Sequence, residues 1–163
     1  MQKAAFVARY GGIYEHSTWV AEETADEAMH ARNGEDLAEL FAECVDNASS
    51  ERRLALIRAH PDLAGRAAIA GELTEASNVE QASAGIDQCS PEEFARFQDL
   101  NERYKAKFDF PFVMAVRNSN RHEILAAFET RLTNDLEDEF EHAIEEIHKI
   151  ARLRFAAEEQ NEQ

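Results

Sequence analysis

Cysteine, proline and glycine are all scarce in this chain of 163 residues, at 2, 3 and 6 copies. The two isolated cysteines, Cys44 and Cys89, lack metal-ligand spacing and cannot build a disulfide framework, so reduced thiols are expected. With few chain breakers and few strand signals, only residues 110–116 read as an extended run, and the rest reads as helices interrupted by one long loop centred on residues 71–88 and a second near 109–120. No glycine-rich phosphate cradle, nucleophile elbow or HExxH sequence is present. No apolar run approaches membrane-spanning length, residues 1–10 lack the apolar stretch of a secretory leader, and no period of solenoid length recurs. Positive charge is also short: 17 Lys and Arg against 33 Asp and Glu give a formal charge of −16. That balance argues against nucleic acid and anionic membrane as partners, and the expected location is the cytoplasm.

What is there is helical periodicity with polar punctuation. The expected fold class is all-α, one domain over residues 1–163, built as a bundle of about seven to nine short helices. A first helix over residues 2–9 ends at Gly11-Gly12, and a second starts near Ser17-Thr18 and runs past Ala28 to a break at Asn33-Gly34. A third covers about residues 35–45, and Ser49-Ser50 breaks the chain before a helix leading to His60. Ser77-Asn78-Val79-Glu80 and Ser90-Pro91-Glu92-Glu93 both have the form of a capping box. The second opens a helix with Phe94, Phe97, Leu100 and Tyr104 at core spacing. A loop over residues 109–116 leads through Asn118-Ser119-Asn120 into a helix bearing Ile124, Leu125, Phe128 and Leu132. After Asn134 the last helix presents Leu136, Phe140, Ile144 and Ile147, while its acidic run over residues 137–146 reads as a solvated face.

The chemistry concentrates at His60-Pro61-Asp62-Leu63-Ala64-Gly65. Pro61 disfavours helical geometry at the residue before it, so the helix should stop near His60, and Asp62 is placed to cap a short helix into Ala67-Ala68-Ile69-Ala70. A histidine at a helix C-terminus feels the negative end of the dipole, which favours its protonated form and suits a proton donor. Ser77, Glu80 and Gln81 add a hydroxyl, a carboxylate and an amide; Phe110-Pro111-Phe112-Val113 adds an apolar wall, and Arg117 a cation. Taken singly, each has a structural explanation as a cap or a core residue. Glu139-x-x-His142 and Glu145-x-x-His148 match the pattern of carboxylate-bridged di-metal bundles. On one helix the two histidines stand about 240° apart, so surface placement is the expectation and no metal is assigned. A non-catalytic helical module and a di-metal bundle are the competing readings at this point.

Three motifs together resemble a known family. His60-Pro61-Asp62-Leu63-Ala64-Gly65, then Gly71-Glu72-Leu73-Thr74-x-x-Ser77-x-x-Glu80-Gln81-x-x-Ala84-Gly85, then Phe108-x-Phe110-Pro111-Phe112-Val113 resemble the 2-oxo-4-hydroxy-4-carboxy-5-ureidoimidazoline (OHCU) decarboxylases. The likeness extends upstream to Gly11-Gly12-Ile13-Tyr14-Glu15-His16 and downstream to Arg131-Leu132-x-Asn134-Asp135 and Glu145-Glu146-Ile147. Thr18, where many relatives have proline, and Asn118-Ser119-Asn120 depart from the pattern beside the motifs. The resemblance implies a small all-α enzyme of urate breakdown, without metal or organic cofactor, that turns OHCU into (S)-allantoin and carbon dioxide. Its partner would be that small molecule, and a homodimer is compatible with the family. Carried over by position, the catalytic residues are His60, the proton donor, and Glu80. The substrate-binding residues are Pro61, Ser77, Asn78, Val79, Gln81, Phe112, Val113, Met114, Ala115, Val116 and Arg117. Loss of carbon dioxide beside a ring carbonyl would leave an enolate, to which His60 returns a proton on one face.

Overall fold

The computed structural model describes residues 2–64 and 73–161. These residues form eight α-helices and two 3₁₀ turns, with no strand among them, as an all-α reading requires. The helices are α1 Lys3–Tyr10, α2 Trp19–Thr24, α3 Gly34–Asp46, α4 Ser50–Arg58, α5 Glu75–Ser83, α6 Pro91–Phe108, α7 Arg121–Arg131 and α8 Leu136–Asn161. The 3₁₀ turns are Glu27–His30 and Ile86–Gln88. No described helix is long and apolar enough to cross a membrane.

Polar residues set the helix starts. Asn33 Oδ1 accepts the Asp36 N–H at 3.0 Å, Ser49 Oγ that of Arg52 at 3.2 Å, and Asn120 Oδ1 that of Glu123 at 2.9 Å. Each satisfies an amide that the first helical turn would otherwise leave without a partner. Ser90 and Glu93 exchange both bonds of a capping box at the start of α6, with Pro91 as its first residue. Where the sequence reads as a long loop centred on residues 71–88, the chain forms α5 instead, and α5 starts earlier than Ser77-Glu80 suggests. Thr74 is its cap, with Oγ1 accepting the Ser77 N–H at 3.2 Å, so Ser77 lies inside the first turn and Glu80 in mid-helix. α2 is shorter than its periodicity suggests. Thr24 Oγ1 donates back to the carbonyls of Val20 and Ala21, at 2.8 and 3.3 Å, where the helix gives way to a 3₁₀ turn. α6 ends with Asp109 in the left-handed region, φ 63°, its N–H bonded to the Lys105 carbonyl.

The chain divides into two compact units, Met1–Ala59 with Ile147–Gln163, and His60–Glu146. In the first, Phe41 is wholly enclosed and touches the rings of Phe6, Tyr14 and Phe155. Arg154 and Glu15 form a buried ion pair at 3.2 Å, and the same guanidinium donates to the carbonyls of Gly12 and Ile13. The second unit is built on α6. Phe97, Tyr104 and Phe108 lie buried along one side of it, and the Phe112 ring stacks on Phe128 with centroids 3.8 Å apart. Tyr104 meets Phe112 edge-on at 5.4 Å.

Candidate active site

Every residue that the sequence singles out for catalysis or substrate binding lies in the second unit. α4 ends at Arg58 with Ala59 as its cap, so the helix does stop just before His60-Pro61. His60 is buried, at 8% exposure. The short helix expected over Ala67 to Ala70, and Gly65, Gly71 and Glu72 of the motifs, lie outside the described residues.

Residues 60–64 follow no regular secondary structure, and side chains take up their backbone groups instead. Gln81 Oε1 accepts the Ala64 N–H at 3.1 Å, and its Nε2 donates to the Asp62 carbonyl at 3.4 Å. From α6, Gln98 donates to the Ala64 carbonyl, Asn101 to the Leu63 carbonyl, and Lys105 to the Asp62 carboxylate. Gln98, Asn101 and Lys105 were not singled out from the sequence. Their spacing of three and four residues, beside a stripe of core aromatics, is the signal that could have found them.

α5 turns Ser77 and Gln81 inward, at 6% and 5% exposure, with Glu80 half-buried beside them. Asn78 and Val79 face solvent, so the structure does not bring these two to the His60 segment. Gln81 is brought there, with both ends of its amide engaged by the loop backbone. Thr74 being the cap, the position of Glu80 is not explained by capping.

The loop after α6 is core along its first half. Phe110, Pro111, Phe112, Val113 and Val116 are buried, Met114 and Ala115 are half-buried, and Arg117 is exposed. Arg131 fixes this loop by donating from Nη1 to the Val113 carbonyl at 2.6 Å, with its guanidinium 4.3 Å from the centre of the Phe112 ring. The Ala115 N–H donates to Glu146 at 3.2 Å. Glu139 completes the support: it pairs with Arg131 at 2.9 Å and accepts from Asn134 and from the Tyr104 hydroxyl.

The acidic run of α8 is therefore not one solvated face. Glu139 is fully buried and Glu146 nearly so, while Glu137, Asp138, Glu141 and Glu145 are exposed. Positions 139 and 146 share the side of α8 that carries Ala143, and that helical position outweighs the acidic composition. Burial alone would raise the Glu139 carboxyl, but the bonds from Arg131, Tyr104 and Asn134 hold it below its ordinary 4.5. Burial, then the bond to Glu139, pushes the Tyr104 hydroxyl far above its usual range. A carboxyl with a lowered folded-state pKa stabilises the fold at higher pH, and its contribution is lost as pH falls through that pKa. The expected result is a melting temperature that drops steeply below about pH 4.5. Glu139→Gln should be less stable at neutral pH and show a shallower acid slope; equal slopes in thermal melts would contradict this.

The two Glu-x-x-His motifs part company. His142 is half-buried, its side chain 40% exposed and 4.0 Å from Glu139. His148 belongs to the first unit and is buried, against the expectation of surface placement. Its Nδ1 lies 2.8 Å from the Tyr14 hydroxyl and its Nε2 2.9 Å from Asp46. Both ring nitrogens have hydrogen-bond partners in these neighbours, which is why the ring can be buried. Among the described residues no group of three or more His, Cys, Asp or Glu is placed to hold a metal ion. A cavity of about 610 Å³ opens in the first unit beside Phe6, Tyr10, Leu37 and Phe155, and is lined by none of the residues singled out for catalysis or substrate binding.

Comparison with known proteins gives this arrangement its context. The profile of the family described as OHCU decarboxylase matches residues 1–156. The 2-oxo-4-hydroxy-4-carboxy-5-ureidoimidazoline decarboxylase of Haloferax volcanii is 45% identical over 152 residues, covering 93% of this chain and 88% of that protein. The uric acid degradation bifunctional protein of Bacillus sp. (strain TB-90) is 38% identical over 94% of this chain, which spans 30% of its length. A crystal structure of (S)-allantoin synthase superposes with a TM-score of 0.76 at 34% identity, over 97% of this chain and about half, 51%, of that one. With the His-Pro motif, the Ser77 to Gln81 helix and the aromatic loop all inside a match of this length, the chain belongs to the OHCU decarboxylase family.

Proposed function

We propose that this protein decarboxylates OHCU to (S)-allantoin in urate degradation, with His60 as the proton donor. Family membership over nearly the whole chain supports the reaction, and the observation that carries the acid role is a buried histidine on a segment pinned by two helices. The substrate's own name locates the chemistry. Carbon 4 bears the hydroxyl and the carboxylate, and the one ring double bond of an imidazoline oxidised at carbon 2 joins carbon 5 to nitrogen. When the bond to carbon dioxide breaks, its electron pair forms a double bond between carbons 4 and 5, and the carbon–nitrogen π pair moves to nitrogen, which takes a proton. The electron sink is thus this imine rather than a carbonyl, and the first product is an enol. His60 then protonates carbon 5 on one face as the 4-hydroxyl gives up its proton and becomes the carbonyl of allantoin. The ring accepts the electrons itself, so the balance needs no organic cofactor.

Glu80 is suited to accept hydrogen bonds from ring or ureido N–H groups and hold the ring in register. Ser77 offers a hydroxyl on the same inward face of α5. Backbone groups of residues 112–116 would grip the ring edge, and Arg117 adds a cation where the loop leaves the core. Glu80→Gln is expected to lower turnover by about 10-fold or more with an unchanged melting temperature; a change in melting temperature alone would make Glu80 structural. A cytoplasmic homodimer is the state we assign, from the thiols and the family resemblance.

The test is a coupled assay. OHCU generated freshly by urate oxidation and 5-hydroxyisourate hydrolysis is followed by circular dichroism with and without the purified protein. Rapid appearance of one enantiomer is expected; an unchanged slow, racemic conversion would refute the activity.

A further inference from the structure

The segment that carries His60 keeps its shape through side chains of two helices. Gln98, Asn101 and Lys105 form one stripe along α6 and meet three consecutive residues of the segment in reverse order. Gln98 Nε2 donates to the Ala64 carbonyl at 2.8 Å, Asn101 Nδ2 to the Leu63 carbonyl at 3.0 Å, and Lys105 Nζ to the Asp62 carboxylate at 2.6 Å. Ala64 sits at φ 55°, a region that a residue with a side chain enters only at a cost, and these bonds with those of Gln81 hold it there.

Asn101 stands apart within this clamp. It is 3% exposed, and while its Nδ2 serves Leu63, its enclosed Oδ1 has no hydrogen-bond partner among the described residues. A buried acceptor in that state lowers stability, so packing alone does not account for an asparagine here. What the side chain does provide is a fixed donor to the backbone two residues beyond Pro61.

We propose that Asn101, seconded by Gln98, is a positioning residue for proton transfer: it fixes Leu63 and Ala64, and through the rigid Pro61 aims His60 at one face of the decarboxylated ring. This rests on His60 being the acid, as argued above. The role concerns direction as well as rate. If the imidazole is aimed poorly, solvent competes to protonate carbon 5 from either face, so the enantiomeric excess of allantoin falls together with kcat. Substrate binding draws on other groups, so KM changes little.

The experiment compares the full-length wild type, His60→Ala, Asn101→Ala and Gln98→Ala on freshly generated OHCU. It reads kcat, KM and the enantiomeric excess of allantoin, with thermal melts alongside. For Asn101→Ala, kcat is expected to fall by about 10- to 100-fold, as misplacement of a reacting group by about 1 Å produces, with KM nearly constant and a reduced enantiomeric excess. A folded Asn101→Ala protein with wild-type kcat and enantiomeric excess overturns the proposal, even if it melts at a lower temperature. Should that variant fail to fold, Gln98→Ala decides by the same readouts: loss of enantiomeric excess supports the clamp, and unchanged values overturn it. An inactive wild type defeats the decarboxylase reading itself, and full activity of His60→Ala defeats the acid role. Only an active, His60-dependent wild type beside an unaffected Asn101→Ala counts against Asn101 alone.

Discussion

Replacing His60 by alanine is expected to lower kcat for OHCU decarboxylation by about 10²- to 10⁴-fold, the range in which a positioned general acid contributes. The fold should survive the change. His60 lies beyond the end of α4, so no helical hydrogen bond depends on its side chain, and the segment after it is held by Gln81, Gln98, Asn101 and Lys105. A helical circular dichroism spectrum close to wild type, with the stereospecific signal of product formation gone, is the predicted pair of observations. Carbon dioxide loss that still proceeds while the product turns racemic would place His60 in the protonation step alone. Undiminished stereospecific turnover would remove it from the mechanism.

Arg131→Met is expected to be the most damaging change for stability, at about 3–5 kcal/mol, the cost of stranding one partner of a buried ion pair. Arg131 is 4% exposed and Glu139 is fully enclosed, so solvent cannot compensate the lone carboxylate. The substitution also removes the donor to the Val113 carbonyl and the cation over the Phe112 ring. At about 2–4 °C per kcal/mol for a chain of this size, the melting temperature should fall by roughly 10 °C. Adding Glu139→Gln should recover part of the loss, because the remaining side chains are then neutral. A double variant no more stable than Arg131→Met would show that the packing of the guanidinium, and not the stranded charge, dominates.

Local chemistry made most of the helical frame legible. Asn33, Ser49, Ser90 and Asn120 each cap the helix that the sequence starts beside them, and Pro61 marks the end of α4. Thr74 was overlooked as a cap because Ser77-x-x-Glu80 imitates a capping box inside the helix that Thr74 opens. Thr24 bends the chain by a bond to its own helix, a choice that apolar periodicity does not record. At the candidate site, residue types pointed to the His60 segment and α5 but could not assign direction. Gln81 reads as a ligand-facing amide, whereas its bonds are to the loop backbone. Asn78 and Val79, adjacent in sequence to the inward residues, point the other way because successive helical positions turn by about 100°. The buried Glu139 was hidden among exposed acids, since composition averages over a face that geometry divides.

In the proposed mechanism His60 carries the proton that reaches carbon 5. The measurement that tests it most directly pairs the pH dependence of kcat/KM with an NMR titration of the His60 imidazole in the same protein. Activity is expected to fall as pH rises, with the same midpoint at which His60 loses its proton, and this limb should disappear in His60→Gln. A profile whose midpoint is unrelated to the His60 titration, or one that persists in the variant, would contradict it.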